Sequence, residues 1–268
     1  MKQEWKITKK IHYSDPVNED FNDVGLKRPA IPSGYKYSKF GFSRFIGNCL
    51  YYLLAKPILS IGCFFNGVRI KNRKQLKILR KQKTGVFLYG NHVAIMDVFK
   101  LQTFAIHRKT NIIGFTDTLS LGPIVRYLVK CFGYFPLPLE NDFANYRNLE
   151  NALALSIKRK ENVIIFPEAH IWPYYTKIRD FKNGSFHYPA KLNAPIMPFV
   201  TVWRKVWYRK RPCQTIIFGE LVYPKQEFSI HENRDYLHSE CLKQMKNIAN
   251  SVNQYEYIEY IYDPNGGK

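Results

Sequence analysis

The feature that most limits the folds open to this chain is an alternation. Short apolar, β-rich runs fall near residues 68–71, 85–90, 111–115, 133–137, 162–166, 195–203 and 214–222. Helix-like stretches fall between and after them, near 73–82, 95–107, 121–131, 144–159, 184–193 and 235–256. Val86-Phe87-Leu88-Tyr89 and Val163-Ile164-Ile165-Phe166 are apolar at every position, the pattern of strands covered on both faces. Leu149, Ala152, Leu153, Leu155 and Ile157 give the helix before the second run an apolar face. The alternation predicts a single α/β domain whose mostly parallel or mixed sheet is flanked by helices. With 268 residues and 46% hydrophobic content, the chain can bury one full core. The expected division is an N-terminal arm at 1–39, an apolar helical segment at 40–67 and the globular domain at 68–262. The arm is read as extended and wrapping the domain or partly disordered, and the tail 263–268 as a frayed end. Residues 169–183 read as too polar and aromatic for a buried element, and are expected to loop over the site.

Directly after the first apolar run stands Asn91-His92-Val93-Ala94-Ile95-Met96-Asp97. Histidine ordinarily titrates near neutrality, so it can take a proton from an alcohol as a new bond forms. A neighbouring carboxylate fixes the ring's tautomer and stabilises the imidazolium. Residues five apart diverge by about 140° on a regular helix. The pair converges if His92 lies at the strand-to-helix turn and Asp97 in the first helical turn, with Asn91 as a cap. Backbone N–H groups at that helix start could stabilise an oxyanion.

Three further stretches follow in order. Phe166-Pro167-Glu168 places a carboxylate just past a strand end, where open α/β sheets bind ligands. Phe181-Lys182-Asn183-Gly184 and Ala194-Pro195-Ile196-Met197-Pro198 come next. Together the four stretches resemble the glycerophospholipid acyltransferase family, whose blocks read Asn-His-x4-Asp, Phe-Pro-Glu-Gly-Thr-Arg, Phe-Lys-x-Gly and x-Pro-Ile-x-Pro. The resemblance spans roughly 68–220 and makes 68–262 an acyltransferase domain. It implies transfer of an acyl chain from acyl-CoA or acyl-carrier protein to a lysolipid acceptor such as 1-acylglycerol-3-phosphate, with His92 as base and Asp97 as its orienter. It also implies substrate binding by Glu168, Lys182 and Gly184, the glycine serving backbone conformation, and Arg179 is read as a further substrate-binding residue from its place between these blocks. No Gly-x-Ser-x-Gly elbow suggests an acyl-serine intermediate, so direct transfer is the simpler chemistry. No cofactor and no metal site are expected.

Two departures bear on the acceptor. The family usually follows Phe-Pro-Glu with Gly-Thr-Arg, whose arginine is associated with the acceptor's phosphate; here Ala169, His170 and Ile171 stand there. A second family block has arginine five residues after a glycine, whereas Gly133 leads to Pro138. Arginine's planar fork suits phosphate, so losing both is not neutral. Arg147, Arg179 or Lys182 could reach the same space. A second reading therefore keeps the acyl transfer and changes the acceptor to a glycolipid or other hydroxylated metabolite. A third is a nonenzymatic basic protein that binds membrane or nucleic acid. His170 itself reads as a solvated loop residue.

Charge and apolar pattern point to a lipid surface. The formal net charge is +20, and eight cations with no acid lie between Arg69 and Lys83. Trp203-Arg204-Lys205-Val206-Trp207-Tyr208-Arg209-Lys210-Arg211 interleaves cations with aromatics. Such patches suit an anionic membrane surface, and nucleic acid is not an expected partner. Residues 45–68 carry a single charge, Lys56, which with Pro57 interrupts the mostly apolar stretch at its middle. Two short interfacial helices or a shallow hairpin are expected in preference to a span. The expected location is the cell membrane, peripheral or monotopic on the cytoplasmic face. Five cysteines without metal-ligand spacing fit a reduced, cytosol-facing protein. Residues 1–39 show no cleavable signal.

Overall fold

The structure is a computed structural model that describes residues 7–21, 25, 27–37, 41–95, 97–101, 106 and 108–264. A seven-stranded sheet organises it, in the spatial order β2 (Arg69–Lys71), β8 (Cys213–Phe218), β7 (Ile196–Arg204), β3 (Phe87–Gly90), β6 (Asn162–Ile165), β4 (Thr110–Gly114) and β5 (Tyr134–Pro136). Every neighbouring pair is parallel except β7–β8, which is antiparallel. The sheet is therefore mixed, as the alternation predicts. Leu88 lies opposite Ile164 on one side and Met197 on the other, so the three central strands stack their apolar residues in register.

Because side chains alternate along a strand, each continuous apolar run feeds two cores. Phe87, Tyr89, Val163, Ile165 and Val200 face helices α6 (Phe143–Lys158) and α8 (Ile230–Asn250), meeting Leu149, Leu153, Leu237 and Met245. Val86, Leu88, Ile164, Met197 and Phe199 face the other way, onto Leu76 and Leu79 of α3 (Arg73–Lys81) and Cys63. Full burial of such side chains contributes about 1.5–3 kcal/mol each. Gly90 ends β3 without a side chain because a Cβ there would meet the Phe199 ring at 2.1 Å. Helix α8 begins at Ile230, earlier than expected, where Ser229 and Glu232 form a reciprocal capping box. The helix expected over 95–107 starts as α4 (Asp97–Lys100), while 96, 102–105 and 107 lie outside the described residues.

The N-terminal apolar segment departs from expectation. It is one continuous helical rod: α1 (Gly41–Cys49), a π-helical stretch Leu50–Ala55, and α2 (Lys56–Phe65). Proline lacks an N–H and its ring clashes with the carbonyl four residues back. The wider π ladder precedes Pro57, and the backbone stays helical through Ala55 (φ −64°) and Lys56 (φ −62°). Lys56 turns toward the domain, its Nζ donating to the Ile106 carbonyl at 2.8 Å. Tyr51, Ala55 and Cys63 are buried, whereas Phe45, Leu53, Ile58 and Phe64 are exposed. By length and composition, Phe45–Phe65 is enough to cross a membrane.

The described part of the N-terminal arm lies against the domain. Strand β1 (Lys9–Tyr13) pairs in parallel with β9 (Ile258–Tyr262), a small sheet the apolar pattern does not reveal. Residues 1–6, 22–24, 26 and 38–40 of the arm and 265–268 of the tail lie outside the described residues. The stretch 169–183 holds no strand or helix, as expected, but it is not excluded from the interior. Trp172 is fully buried, ringed by Tyr13, Phe21 and Tyr260 at centroid distances of 4.7, 5.1 and 5.0 Å. Its Nε1 donates to the Glu19 carbonyl at 2.8 Å. The arm and β9 thus supply rings that close over Trp172 beside Tyr175 of the loop itself.

Ala169, at the turn after β6, holds φ at +62°. The left-handed region costs an ordinary L-residue roughly 1–2 kcal/mol. Ala169→Gly should therefore stabilise the protein by roughly 0.5–1 kcal/mol after glycine's greater unfolded-state freedom is subtracted. Urea unfolding of the two proteins checks this, and an equal or lower midpoint for the glycine variant would refute it.

Candidate active site

The residues with chemistry gather beyond the carboxyl ends of the parallel strands. His92 and Asp97 follow β3, Phe166 to Glu168 follow β6, Phe115 and Asp117 follow β4, and Leu137 follows β5. This end of an open α/β sheet is where loops diverge and leave a crevice. A cavity of about 590 Å³ occupies it. Its lining is largely apolar, including Ile95, Phe99, Ile113, Val129, Ile165 and Phe166. Its polar groups include His92, Lys182, Ser185, Arg28, Asp20 and Asp117.

His92 and Asp97 come together as the turn geometry requires. His92 leaves β3 in an irregular turn and Asp97 opens α4. The imidazole Nδ1 lies 3.8 Å from Asp97 Oδ2, and both groups are buried. That distance is electrostatic contact rather than a hydrogen bond, and Nδ1 has no hydrogen-bond partner. Such contacts are often long before substrate binds and tighten in the complex. The ring stacks on Phe166, with centroids 4.4 Å apart and planes 23° apart. With Nδ1 turned to the carboxylate, Nε2 is the nitrogen left for an incoming hydroxyl.

Two local expectations are corrected. Asn91 is no helix cap: it bridges β3 to β7, its Nδ2 donating to the Thr201 carbonyl at 3.0 Å and its Oδ1 accepting from Thr201 N at 2.8 Å. Asp97 instead ties the turn before the helix, its Oδ2 accepting from Val93 N at 2.9 Å and Ala94 N at 2.7 Å. Those two N–H groups are thereby committed and do not point at a reacting carbonyl. His92 N is directed at Glu168 Oε2, 3.4 Å away. Gln214 Nε2 donates to Asp97 Oδ1 at 3.0 Å, fixing the carboxylate from the β8 side.

Glu168 and Arg179 form a buried pair behind the cavity wall, with Nη2 to Oε2 at 3.2 Å. Arg179 N also donates to Glu168 Oε1 at 3.1 Å, and the guanidinium donates to the His170 carbonyl and lies over the Trp172 ring. Burial pushes the Glu168 carboxyl above the usual carboxylate range, opposed by the Arg179 guanidinium and by the N–H groups of Arg179 and His92. The pair stitches the β6 turn, the His92 turn and the 169–183 loop into one unit. Neither residue lines the cavity, whereas Lys182 and Gly184 do. Gly184 is not held in the left-handed region, and a Cβ there would meet nothing within 4 Å. What it contributes is open space rather than an unusual backbone.

The arginine positions are vacant of charge. Ile171 lines the cavity as an apolar side chain, and Arg147 is exposed on α6 away from it. The cation that sequence reasoning missed is Arg28, brought by the N-terminal arm and stacked over Phe115 at 3.9 Å. Ser120 pins this part of the arm by donating to the Lys27 carbonyl at 2.7 Å. Asp20, also on the arm, stands 3.5 Å from His170, which is half-buried rather than freely solvated. No motif surrounds Arg28, so only the folded arm reveals it. Among the described residues no group of histidine, cysteine and carboxylate side chains is arranged to hold a metal.

Comparison with known proteins agrees with this fold. No curated protein sequence matches the chain. The crystal structure of the 1-acyl-sn-glycerophosphate (LPA) acyltransferase PlsC from Thermotoga maritima is similar in fold, with a TM-score of 0.51. It is 16% identical in sequence, and the match covers 80% of this chain and 90% of that one. The acyltransferase family model matches residues 67–202, which contain all four motifs. The resemblance carried by those motifs is borne out: the chain is an enzyme of the acyltransferase family.

Proposed function

We propose that the enzyme moves an acyl chain from acyl-CoA or acyl-carrier protein to the hydroxyl of a lysophospholipid such as 1-acylglycerol-3-phosphate, at a membrane surface. The observation that carries this reading is His92 in the wall of a mostly apolar cavity, with Nδ1 turned to a buried, fully hydrogen-bonded carboxylate. A cavity of about 590 Å³ lies within the roughly 300–1,000 Å³ range of small-molecule sites. Its apolar lining suits an acyl chain.

In the proposed step, His92 Nε2 takes the acceptor hydroxyl's proton while the oxygen attacks the thioester carbonyl. The C–O bond forms, the tetrahedral intermediate collapses, and the C–S bond breaks. The departing thiolate receives the proton from the imidazolium, so the histidine returns neutral. Asp97 stabilises the imidazolium between the two transfers. Glu168 and Arg179 act through position, by holding the turn that carries Phe166 under the ring. Lys182 and Arg28 are the cavity cations available to an acceptor's phosphate.

A second reading, a phosphate-free hydroxylated acceptor, is favoured by Asp20 and Asp117 in the same lining and by Ile171 in place of arginine. Carboxylates repel phosphate and accept from hydroxyls. Membrane association is supported by the apolar outer face of the α1–α2 rod, where Leu53 is 71% and Phe64 70% exposed. One face of the rod is committed to the domain, which favours a peripheral or monotopic placement in the interface.

Four outcomes are expected. Thiol release from acyl-CoA should be faster with lysophosphatidate than with a phosphate-free lysolipid, and the reverse order selects the second reading. In that assay His92→Ala should lower kcat by about 10²–10⁴-fold, and an unchanged rate sinks the proposed base. Gly184→Leu should leave thermal stability within about 0.5 kcal/mol yet slow long-chain donors more than short ones, because it fills space beside the cavity. A chain-length profile identical to wild type would remove Gly184 from the binding site. Leu53→Asp with Phe64→Asp should reduce co-flotation with anionic vesicles, and undiminished flotation would count against the rod as the membrane contact.

A further inference from the structure

The three residues after His92 have a second concavity on their far side. Val93, Ala94 and Ile95 line a cleft of about 910 Å³, and Ile95 lines both spaces. The two differ in chemistry. Lys100, Arg209, Lys210 and Arg211 line the cleft, and no carboxylate does. Three of these cations come from the loop between β7 and β8, the aromatic and basic stretch conspicuous in the sequence.

The loop is braced. Arg204 donates to the Gly67 carbonyl and Arg209 to the Phe65 carbonyl, which clamps the hairpin to the end of α2. Tyr174 and Trp203 line the same cleft, their rings 4.5 Å apart. On the opposite wall Lys100 donates to Gln214 Oε1 at 2.7 Å and stands 3.8 Å from Asp97 Oδ1. Of the cleft's cations, Lys100 is the one that stands beside Asp97. Lys210 and Arg211 are exposed, and no acid of the cleft offsets them. Like charges converging on a concave surface focus a positive potential, and guanidinium forks match phosphate oxygens.

We propose that this cleft binds the phosphate groups of a substrate, foremost those of the nucleotide end of an acyl-CoA donor. The inference rests on the acyl-transfer reading. An acyl chain seated in the apolar cavity places its thioester beside His92, and the rest of the donor must leave past the residues that follow. Those residues form the near wall of the basic cleft. The donor then straddles Val93-Ala94-Ile95, apolar end on one side and phosphates on the other. A lysolipid's phosphomonoester offers the same chemistry from the acceptor's side.

The test is a Lys210→Glu, Arg211→Glu double variant of the full chain in detergent, with circular dichroism to verify folding. Titration with 3′,5′-adenosine bisphosphate, the nucleotide end of CoA without its thiol arm, should weaken about tenfold or more, as loss of two charge-assisted contacts predicts. The ratio of kcat/KM for acyl-CoA to that for the same acyl group on pantetheine should fall in parallel. A rise confined to the KM for lysophosphatidate still places phosphate in the cleft and names the acceptor as its source. If neither ligand is affected, the proposal is overturned, including the case in which only binding to anionic vesicles drops. The titration needs no turnover, so a wild-type enzyme that consumes no thioester would sink the acyl-transfer reading while the cleft is still decided by nucleotide binding.

Discussion

The Asp97 carboxylate is the contact on which the arrangement of the site depends. A carboxylate this deeply buried is tolerated only when its oxygens are satisfied, and here Val93 N, Ala94 N and Gln214 Nε2 satisfy them. Those same bonds fold the chain back on itself between β3 and α4. The fold-back presses His92 onto Phe166 with Nδ1 toward Asp97, and it stands Val93-Ala94-Ile95 up as a partition between two concavities. One side chain thus sets the base's orientation and separates the apolar space from the basic one.

Local sequence was most informative where one physical rule acts alone. The central strands are apolar at every position because helices cover both faces, so their positions were readable to within a few residues. The His92–Asp97 spacing was readable too, since a strand end followed by a helix start is the arrangement that lets residues five apart converge. Long-range pairing was not. β1 joins β9 across the length of the chain, and neither strand has an apolar pattern strong enough to announce it. Lys56-Pro57 misled for a different reason: both residues break an isolated apolar helix, but a π ladder accommodates the ring and a carbonyl of the domain accepts the ammonium. Ser229-Ile230-His231-Glu232 carried a readable cap signal for α8, and the helix expectation starting at 235 overlooked it.

Within the site, the legible residues divide into two kinds. His92, Lys182 and Gly184 reach the cavity, while Glu168 and Arg179 bind each other behind it. A motif identifies residues that must be present; it does not say which face the substrate and which hold up those that do. Arg28 shows the complementary failure. It arrives on a long arm whose path is set by the Trp172 ring cluster and by backbone contacts to the 169–183 loop, none of which is local to the arginine.

The turn after β6 ties these strands of argument together. It keeps a left-handed residue at Ala169, where glycine would sit without strain, and it presents Ile171 where an arginine would bring charge. The shape of the turn is held by the buried Glu168–Arg179 pair, which needs His170's carbonyl where it is. Shape and charge at this turn are therefore separable: the pair preserves the first, and the second has gone. On the proposed reading, an anionic acceptor meets positive charge from Lys182 on one side and Arg28 on the other rather than from the turn itself. Since Arg28 belongs to the arm, acceptor recognition becomes coupled to the docking of that arm, and a motif-bearing domain without it would keep its base and lose half of its cavity's positive charge.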